Sequence, residues 1–306
     1  MSRLIALTGA TGYVGRFVAA ELLSRGFSLR GLSRPDSDRA GFSGHIDWVA
    51  GDLSSDSALK MLTDGAEAVI HMAYSHIPGR YRGGEGDDFP GWLDTNLGGS
   101  LRLLTAAQSA KVGQFIFLSS RAVFSRTEPG RVLDESHPTA PDSHYGAYKA
   151  AVEAFMSSAT HISGMKTTSV RATGVYGLTW PPERSKWWDI IQAVSHSQPV
   201  MNARAGTEVH GADVARAIAA LIQQPQAAPA ALHLSDLTVS TRDVVRLARQ
   251  FTGIEGELPP DAPSAPQNML VSRHLADLGI TLGGLPLLEQ TLKAMVNIMP
   301  DDSGNY

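Results

Sequence analysis

The amino-acid sequence predicts an α/β protein with a doubly wound parallel sheet and a smaller C-terminal region. Short apolar runs alternate with amphipathic helical stretches from residue 3 to about residue 170, which is the pattern of strands joined by crossover helices. A cluster of glycines follows the first apolar run directly and opens the first helical stretch. This regularity fades after Gly177, where loops rich in proline and tryptophan take over. The length of 306 residues allows one large α/β domain or two coupled ones.

The predicted elements follow from hydrophobic periodicity along the chain. We expect strands at 3–7, 28–32, 46–49, 68–72, 114–118 and 167–170, and helices at 13–25, 55–62, 92–111, 144–158, 213–221 and 241–251. Alternation of this kind predicts a parallel sheet covered on both faces, with the ligand crevice at the carboxyl ends of its strands. Two long polar connections, 79–88 and 125–143, are typical of segments that carry specificity.

Composition and charge narrow the possible functions. A net charge of −4 gives no broad positive field for nucleic acid or anionic lipid, so we expect neither partner. The absence of cysteine excludes disulfides and cysteine-based sites, and we predict no metal site. No apolar run approaches the roughly 18 residues of a membrane span, and the run at 4–7 is too short for a signal peptide. We therefore expect a cytoplasmic protein.

The glycine cluster "TGATGYVG" at 8–15 stands where a strand turns into a helix. Gly9 permits a sharp turn, Gly12 allows a pyrophosphate to approach the backbone, and Gly15 lets the helix lie close to the sheet. The N-terminus of the helix also offers unpaired N–H groups to a phosphate. These features predict a dinucleotide-binding loop; the alternative is a tight turn that binds nothing.

A second motif, "YGAYK", places Tyr145 and Lys149 four residues apart, so both side chains lie on one face of a helix. A free tyrosine has a pKa of about 10, and a neighbouring ammonium group lowers it. Such a phenol can exchange a proton with a substrate oxygen while hydride moves at carbon. The alternative is a pair of surface side chains.

With its Gly-x-x-Gly-x-x-Gly spacing and the Tyr-x-x-x-Lys motif, the sequence resembles the extended branch of the short-chain dehydrogenase/reductase superfamily, which contains NAD(P)-dependent epimerases, dehydratases and reductases. The resemblance covers about residues 3–222. It implies a Rossmann-like dinucleotide-binding domain at 1–177 and a mainly substrate-binding region at 178–306, of which about 209–236 returns to the core. Relatives often dimerise through two helices, which here are 92–111 and 144–158.

The resemblance also implies roles for individual residues. Ser120 would hold the reacting oxygen near Tyr145 and Lys149, which completes a catalytic set of three. Asp52 would read the adenine, the backbone at Met72 and Ala73 would line the cofactor, and Asn96 would order water or shape its helix. The expected cofactor-binding residues are Gly9, Thr11, Gly12, Tyr13, Val14, Gly15, Ser33, Arg34, Asp52, Leu53, Met72, Ala73, Asn96, Ser119, Tyr145 and Lys149.

The end of the second predicted strand bears on which dinucleotide binds. NAD-binding enzymes place an acidic residue there for the ribose hydroxyls, whereas an arginine suits the 2′-phosphate of NADP. The chain has Ser33 and Arg34 at this point, and we expect NADP in preference to NAD. The alternative is that Asp36 or Asp38 reaches back to the ribose of NAD.

The complete catalytic set favours an enzyme over a non-catalytic NADP-binding sensor, since such sensors typically lose the tyrosine and lysine. Nucleotide-sugar dehydratases carry an Asp-Glu pair directly after the catalytic hydroxyl residue, where this chain has Arg121 and Ala122. A 4,6-dehydratase is therefore not expected. A reductase, a dehydrogenase and an epimerase all remain open.

The substrate side departs from the nucleotide-sugar pattern at two positions. Gly174 replaces an asparagine, and Gly206 replaces an arginine that clamps the diphosphate; Arg204 or Arg184 could substitute for that arginine. We expect hydride transfer at a secondary alcohol or ketone carbon of a sugar-like or small polar substrate, and a UDP-sugar 4-epimerase with a rearranged clamp is the alternative. The candidate substrate residues are His76, Arg121, Gly174, Trp180, Arg184 and Arg204, and further candidates are Tyr81, Arg82, Trp187 and Trp188. Asp213 is expected to cap the helix that follows it.

Overall fold

The computed structural model describes residues 3–77, 79–80, 83–124, 127–128, 130–263 and 268–299. Its strands are β1 (Leu4–Thr8), β2 (Ser28–Ser33), β3 (Ile46–Ala50), β4 (Ala68–His71), β5 (Gln114–Ser120), β6 (Lys166–Ala172), β7 (Gly174–Tyr176), β8 (Ala205–His210), β9 (Ala231–Leu234) and β10 (Leu237–Ser240). Its helices are α1 (Tyr13–Ser24), α2 (Asp56–Thr63), α3 (Phe89–Leu93), α4 (Gly99–Ser109), α5 (His144–Ser163), α6 (Trp188–Ser195), α7 (Gly211–Gln223), α8 (Thr241–Thr252) and α9 (Gly284–Asn297).

Seven strands form one parallel sheet in the order β3-β2-β1-β4-β5-β6-β9. The predicted doubly wound parallel sheet is thereby confirmed. The strand order reverses between β1 and β4, which is the point where open α/β sheets form their ligand crevice. One sheet face is covered by α1 and α7, and α2, α4 and α5 cover the other, each through a continuous apolar core.

The helix predicted at 92–111 differs most from its expected form. It begins three residues earlier, at α3, where the Asp88 side chain accepts a hydrogen bond from the Gly91 amide as the N-cap. A π-helical turn at Asp94–Gly98 then separates α3 from α4, and α4 ends at Ser109. Single π turns inside helices are frequent at functional sites, and this one carries Asn96.

The C-terminal part contains elements that periodicity did not predict. Strands β7, β8 and β10 form a small second sheet, in which β7 and β8 are parallel and β8 and β10 are antiparallel. Helices α6, α8 and α9 pack around an apolar cluster of their own that includes Tyr176 and Trp188. Within the same part of the sequence, α7 packs on α1 and β9 pairs with β6, so these two segments join the main sheet layer.

The start of α7 corrects the cap expected from the sequence. The N-cap is His210, whose Nδ1 accepts a hydrogen bond from the Ala212 amide at 3.0 Å. Asp213 lies inside the first turn instead, where it is fully buried, pairs with Arg216 and accepts a hydrogen bond from the Gly283 amide at 2.9 Å. Asp213 therefore links α7 to the start of α9. Among the described residues, no helix combines the length and apolarity that crossing a bilayer requires.

Candidate active site

A cavity of about 1140 Å³ opens at the carboxyl ends of the central strands. Its wall is formed by the glycine loop after β1, by the residues that follow β2, β3 and β4, by the end of β5 and by Tyr145 and Lys149 of α5. Loops of the C-terminal part supply Arg184, Lys186 and Arg204. Two groups of predicted residues, the catalytic set and the glycine loop, thus meet in one cavity.

The glycine loop has the close backbone contacts that the sequence predicted. Gly9 has a φ of +74°, and a Cβ there would lie 2.6 Å from the amide nitrogen of Ala73. A Cβ at Gly15 would lie 2.0 Å from the carbonyl oxygen of Gly9. Gly12 is the N-cap of α1, no side chain caps this helix, and residues 11–15 line the cavity. These residues fit a dinucleotide, since a phosphate can reach the first amides of α1 directly.

Buried side chains fix the backbone on the opposite side of the loop. The Thr8 hydroxyl accepts hydrogen bonds from the amides of Met72 and Ala73, both at 3.3 Å. His71 is fully buried between Thr8 Oγ1 at 2.7 Å and Ser100 Oγ at 2.8 Å. Burial, with a smaller contribution from the Lys149 charge, lowers the pKa of His71 to about 3. His71 is therefore a neutral structural histidine at physiological pH.

Asn96 joins the π turn to the segment after β4. Its Oδ1 accepts a hydrogen bond from the Ser75 amide at 2.8 Å, and its Nδ2 donates to the carbonyl oxygens of Ser75 at 3.0 Å and Trp92 at 2.9 Å. The side chain is buried and also lines the cavity. These hydrogen bonds support the role in which Asn96 shapes its helix, and the role in ordering water stays a prediction.

Lys149 is the most strongly perturbed group in the cavity. It is 3% exposed, and its Nζ donates to the carbonyl oxygen of Leu118 at 2.7 Å. Burial lowers its pKa to about 7, and the negative charge of Glu153 opposes that shift. The Nζ also lies 4.4 Å from the ring centre of Phe117 and 5.7 Å from that of Tyr145. The Lys149 ammonium group and the Tyr145 ring thus lie close together at the cavity wall.

The two serines at the end of β5 have different partners. Ser119 donates a hydrogen bond to Glu153, which forms a buried ion pair with Arg171 of β6 at 2.7 Å. Ser120 accepts a hydrogen bond from the Ala122 amide at 3.2 Å, and both serines line the cavity. Because the Ser119 hydroxyl hydrogen is engaged by a carboxylate, the Ser120 hydroxyl is the better donor to a substrate oxygen. This arrangement supports the choice of Ser120 made from the sequence.

Near the end of β2, one of the expected cofactor-binding residues lies behind the cavity wall. Arg34 lines the cavity, and its mostly exposed side chain lies 3.6 Å from Asp36. Ser33 does not line the cavity, because it is buried and its hydroxyl donates to the Arg34 carbonyl oxygen at 3.2 Å. That hydroxyl also accepts a hydrogen bond from Arg39 Nε at 2.8 Å. Sequence reasoning missed Arg39, which stands six positions from Ser33 in a loop without a recognisable motif.

The acidic residues of this region have partners of their own. Asp38 pairs with Arg16 at 3.2 Å. Asp52 Oδ1 accepts a hydrogen bond from the Ser54 amide at 2.8 Å and a second from the Ser54 hydroxyl. These hydrogen bonds, with smaller effects of the Arg34 and Arg102 charges, hold the pKa of Asp52 below its usual value. Asp52 therefore remains an ionised acceptor at the cavity wall.

The half of the cavity that the C-terminal part lines is bordered by an ion pair that the sequence did not reveal. Lys186 and Glu208 are hydrogen-bonded to each other, with side chains 28% and 7% exposed. Lys186 lines the cavity together with Gly174, Arg184 and Arg204. The only available signal was a glutamate within a segment otherwise typical of a buried strand, since Lys186 stands in an irregular loop.

The three tryptophans that the sequence offered as candidate substrate residues do not line the cavity. Trp180 is 56% exposed, does not line the cavity and packs near Gly41, where a Cβ would lie 2.7 Å from its ring. Trp188 belongs to the C-terminal apolar cluster, and Trp187 packs beside Tyr176 with ring centres 5.3 Å apart. The tryptophans thus serve packing, which is the commoner use of clustered aromatic side chains.

The remaining candidates occupy several positions. His76 and Arg121 line the cavity. Arg121 also donates a hydrogen bond to the Asn268 carbonyl oxygen at 3.0 Å. Tyr81 and Arg82 lie outside the described residues. Tyr13 was expected only as a cofactor residue, but its hydroxyl also donates to the Gly177 carbonyl oxygen at 2.7 Å, which ties the glycine loop to the C-terminal part.

Comparison with curated proteins gives relatives of several activities. The chain is 30% identical over 183 residues to a UDP-glucose 4-epimerase of Streptomyces lividans, covering 58% of this chain and 54% of that protein. It is 31% identical over 147 residues to a putative dihydroflavonol 4-reductase of Synechocystis, covering 47% and 40%. The chain thus matches about half the length of these curated relatives.

Solved structures resemble the fold over nearly the whole chain. A UDP-glucose 4-epimerase from Brucella ovis in complex with NAD superimposes with a TM-score of 0.80 and 20% identity, covering 96% of this chain and 98% of that one. The sequence profile of the NAD dependent epimerase/dehydratase family matches residues 5–234, which contain the seven-stranded sheet except for Leu4, together with its glycine loop. The chain belongs to the NAD dependent epimerase/dehydratase family, as the resemblance of its motifs predicted.

Proposed function

We propose that this protein is an NAD(P)-dependent oxidoreductase or epimerase that transfers hydride at a secondary alcohol or ketone carbon, with Tyr145 as the acid/base. The observation that carries the proposal is that Ser120, Tyr145 and Lys149 line the same cavity as the glycine loop. A dinucleotide bound along that loop would supply or accept the hydride. The chain itself must then position the substrate and move one proton.

Each residue of the catalytic set has a role that follows from its surroundings. The Ser120 hydroxyl donates a hydrogen bond to the reacting oxygen and orients it toward the phenol of Tyr145. Tyr145 removes the proton of an alcohol during oxidation and returns it during reduction. Lys149, held by the Leu118 carbonyl oxygen at 2.7 Å, stabilises the phenolate by its charge. Nothing in this set performs the acid and base steps of water loss, and Arg121 and Ala122 follow Ser120, so a 4,6-dehydratase is not part of the proposal.

The substrate is proposed to be a sugar-like or small polar molecule. The resemblance implies nucleotide-sugar contacts at positions 174 and 206. Gly174 and Gly206 provide neither a side-chain amide nor a guanidinium group there. The cavity wall nevertheless has many polar groups, including Thr173, Thr207, Arg184 and Arg204. Such a wall suits a substrate with several oxygen atoms better than an apolar one.

A UDP-sugar 4-epimerase is the second candidate. Arg184 and Arg204 both line the cavity, as a rearranged diphosphate clamp requires. The curated relatives include UDP-glucose 4-epimerases of Streptomyces lividans and Corynebacterium glutamicum, each 30% identical over the matched residues. These two observations support an epimerase that keeps the same catalytic set and adds a nucleotide site.

NADP is the proposed cofactor, and NAD is the alternative. Arg34 lines the cavity at the ribose end, and Arg39 adds a second guanidinium beside Ser33. Two permanent positive charges suit a 2′-phosphate, and the nearby Asp36 and Asp38 each have an arginine partner. The related structure from Brucella ovis contains NAD, which supports the alternative.

The proposed assembly is a homodimer formed by the helices near 92–111 and 144–158. On α5, Phe155 and Ile162 stand seven residues apart on one helix face and are 50% and 79% exposed. Exposed apolar side chains repeated on one face are typical of a covered surface. The mass of the protein in solution, measured by light scattering, tests this assembly.

One activity panel tests the proposed function. Purified protein is assayed with NAD and with NADP against nucleotide sugars, free sugars, sugar acids and hydroxyketones, with absorbance reporting the reduced cofactor. Net oxidation or reduction of a free sugar, sugar acid or hydroxyketone supports the first candidate. Interconversion of UDP-glucose and UDP-galactose without net cofactor consumption supports the second. Binding of dinucleotide without turnover of any compound would indicate a non-catalytic sensor and contradict both candidate functions.

A further inference from the structure

Glu208 and Gly174 are cross-strand neighbours in the small sheet, where β7 and β8 pair in parallel register. A Cβ placed at Gly174 would lie 2.3 Å from Glu208 Oε2 and 2.8 Å from Lys186 Nζ. Gly206, two positions before Glu208, would bring a Cβ to 3.1 Å from Glu208 Oε1. The two glycines therefore leave the space that the Lys186–Glu208 ion pair occupies.

The ion pair presents its ammonium group, and not its carboxylate, to the cavity. Lys186 belongs to the cavity wall, whereas Glu208 does not, and the Glu208 side chain is only 7% exposed. The loop that carries Lys186 is fixed as well, because the Lys186 amide donates to the Tyr13 hydroxyl at 3.3 Å. The lysine side chain extends beside Trp187, with Nζ 5.2 Å from the ring centre. Lys186 is thus held in position before any substrate enters.

The charges around the ion pair are predominantly positive. Arg184 and Arg204 line the same half of the cavity. Burial lowers the pKa of Lys186 and raises that of Glu208, and the Arg204 charge has a smaller effect on both, which places it close to the ion pair. Among the described wall residues contributed by positions 172–207, none is acidic. Glu208 neutralises one of three cations from behind, so an excess of positive charge faces the cavity.

We propose that Lys186 is a specificity-determining residue whose ammonium group binds an oxyanion of the substrate, either a carboxylate or a phosphate. The inference rests on the proposed function, since it takes this half of the cavity to be the substrate site. Among the residues that the structure describes, Glu208 is the hydrogen-bond partner of the Lys186 ammonium group, so two of its N–H donors can bind a ligand. A substrate oxyanion completes these hydrogen bonds and offsets the excess charge. The space at Gly174 is kept for this cation in place of a larger side chain.

The test is a binding experiment with three hexoses that differ in charge. Protein saturated with its dinucleotide is titrated by calorimetry with glucose 6-phosphate, with glucuronate and with neutral glucose. The wild type is expected to bind at least one anionic hexose more tightly than glucose, and the tighter anion identifies phosphate or carboxylate. Lys186→Met should weaken that anion by about tenfold, the size of one charge-assisted hydrogen bond, and leave glucose unchanged.

Two further variants keep the result interpretable. Lys186→Met leaves Glu208 buried without its partner, so the double variant Lys186→Met/Glu208→Gln removes both charges at nearly constant shape. Lys60→Met removes an exposed lysine of α2 and should bind all three hexoses as the wild type does. The proposal is overturned if the folded double variant keeps the wild-type preference for the anion, or if the wild type has no such preference.

This experiment separates the inference from the proposed function because it measures binding and not turnover. An anion preference that depends on Lys186 in a protein that turns over no carbonyl or alcohol compound would support the inference and contradict the function. Turnover of a neutral sugar without any anion preference would support the proposed function and contradict the inference. Tyr145→Phe, which removes the acid/base, should retain the anion preference.

Discussion

Lys149 Nζ donates a hydrogen bond to the carbonyl oxygen of Leu118 at 2.7 Å, from a side chain that is only 3% exposed. This contact joins α5 to the end of β5, the strand that supplies Ser119 and Ser120. The helix and the strand that carry the proposed catalytic residues are therefore fixed to each other beside those residues. The arrangement places an ammonium group in an apolar setting, which has a measurable thermodynamic consequence.

Replacing Lys149 by methionine should change how stability depends on pH. The folded-state pKa is about 7 and the usual value is 10.5, so the unfolded chain binds more protons between these values. Stability of the wild type should therefore rise relative to Lys149→Met as the pH increases from about 7 toward 10. Below pH 7 the lysine is charged in both states, and the full desolvation penalty is present.

Urea unfolding of both proteins at pH values of about 6.5, 8 and 9.5 checks this expectation. The first pH lies below the folded-state pKa of Lys149, and the other two lie above it. Lys166→Met serves as the matched control, because Lys166 is exposed at the start of β6. Its stability difference from the wild type should not vary over this range. A difference for Lys149→Met that is equally constant would contradict the lowered pKa.

Tyr145→Phe should abolish turnover and leave dinucleotide affinity within a few fold. The variant keeps the ring, which packs against Tyr74 with centres 5.0 Å apart, and removes only the hydroxyl that exchanges the proton. Steady-state rates and a fluorescence titration with the dinucleotide measure the two effects. Tyr148→Phe is the control, since Tyr148 is buried on the same helix and does not line the cavity. Equal losses of binding and turnover in Tyr145→Phe would refute the assigned role.

Arg34→Ala and Arg39→Ala should each lower the affinity for NADP far more than the affinity for NAD. Either guanidinium can pair with a 2′-phosphate that NAD lacks, and loss of one such contact costs about 1.5–3 kcal/mol. Arg39→Ala also removes the hydrogen bond to Ser33, so its effect on NAD measures the structural part. Affinities for both dinucleotides are measured at one ionic strength, with Arg25→Ala at the far end of α1 as control. Similar losses for NADP and NAD would show that neither arginine reads the phosphate.

The sequence predicted six of the seven strands of the main sheet, because these strands and the helices between them show clear hydrophobic periodicity. β1 to β6 and the helices between them bury one face or both, and each boundary differed by a few residues at most, apart from the longer α5 and the π turn. A π turn leaves no trace in periodicity, since it shifts the helix by one residue at a single point. The hydrogen bonds of Asn96 to Ser75 stabilise this turn, and such long-range contacts cannot be read from local sequence.

The C-terminal part was harder to predict for a related reason. β7, β9 and β10 are three or four residues long, which is too short for a period to be recognised. The Lys186–Glu208 ion pair joins residues 22 positions apart on a loop and a strand, and the glutamate within a strand-like segment was its only local sign. The glycines at 174 and 206 indicated a departure from the family pattern. Only the pairing of β7 with β8 shows that a side chain at Gly174 would collide with Glu208.

Gly15→Ala should disrupt dinucleotide binding with only a moderate loss of stability. The added Cβ would lie 2.0 Å from the Gly9 carbonyl oxygen and 2.7 Å from the Ala10 Cα, both backbone atoms that cannot rotate away. Helix α1 must therefore move away from the loop, which displaces the amides that would hold the phosphates. Overpacking of this kind typically costs about 1–3 kcal/mol, so the protein should remain folded.

Gly113→Ala is the matched control for this change. Its Cβ would lie 3.5 Å from the nearest atom, the Glu67 carbonyl oxygen, which is an ordinary contact at the opposite end of β5. A dinucleotide titration and thermal unfolding of both variants should show lost affinity for Gly15→Ala and near-wild-type affinity for Gly113→Ala. Retained affinity in a folded Gly15→Ala protein would mean that the dinucleotide does not depend on the close approach of α1 to the loop. The glycine cluster would then be only a turn.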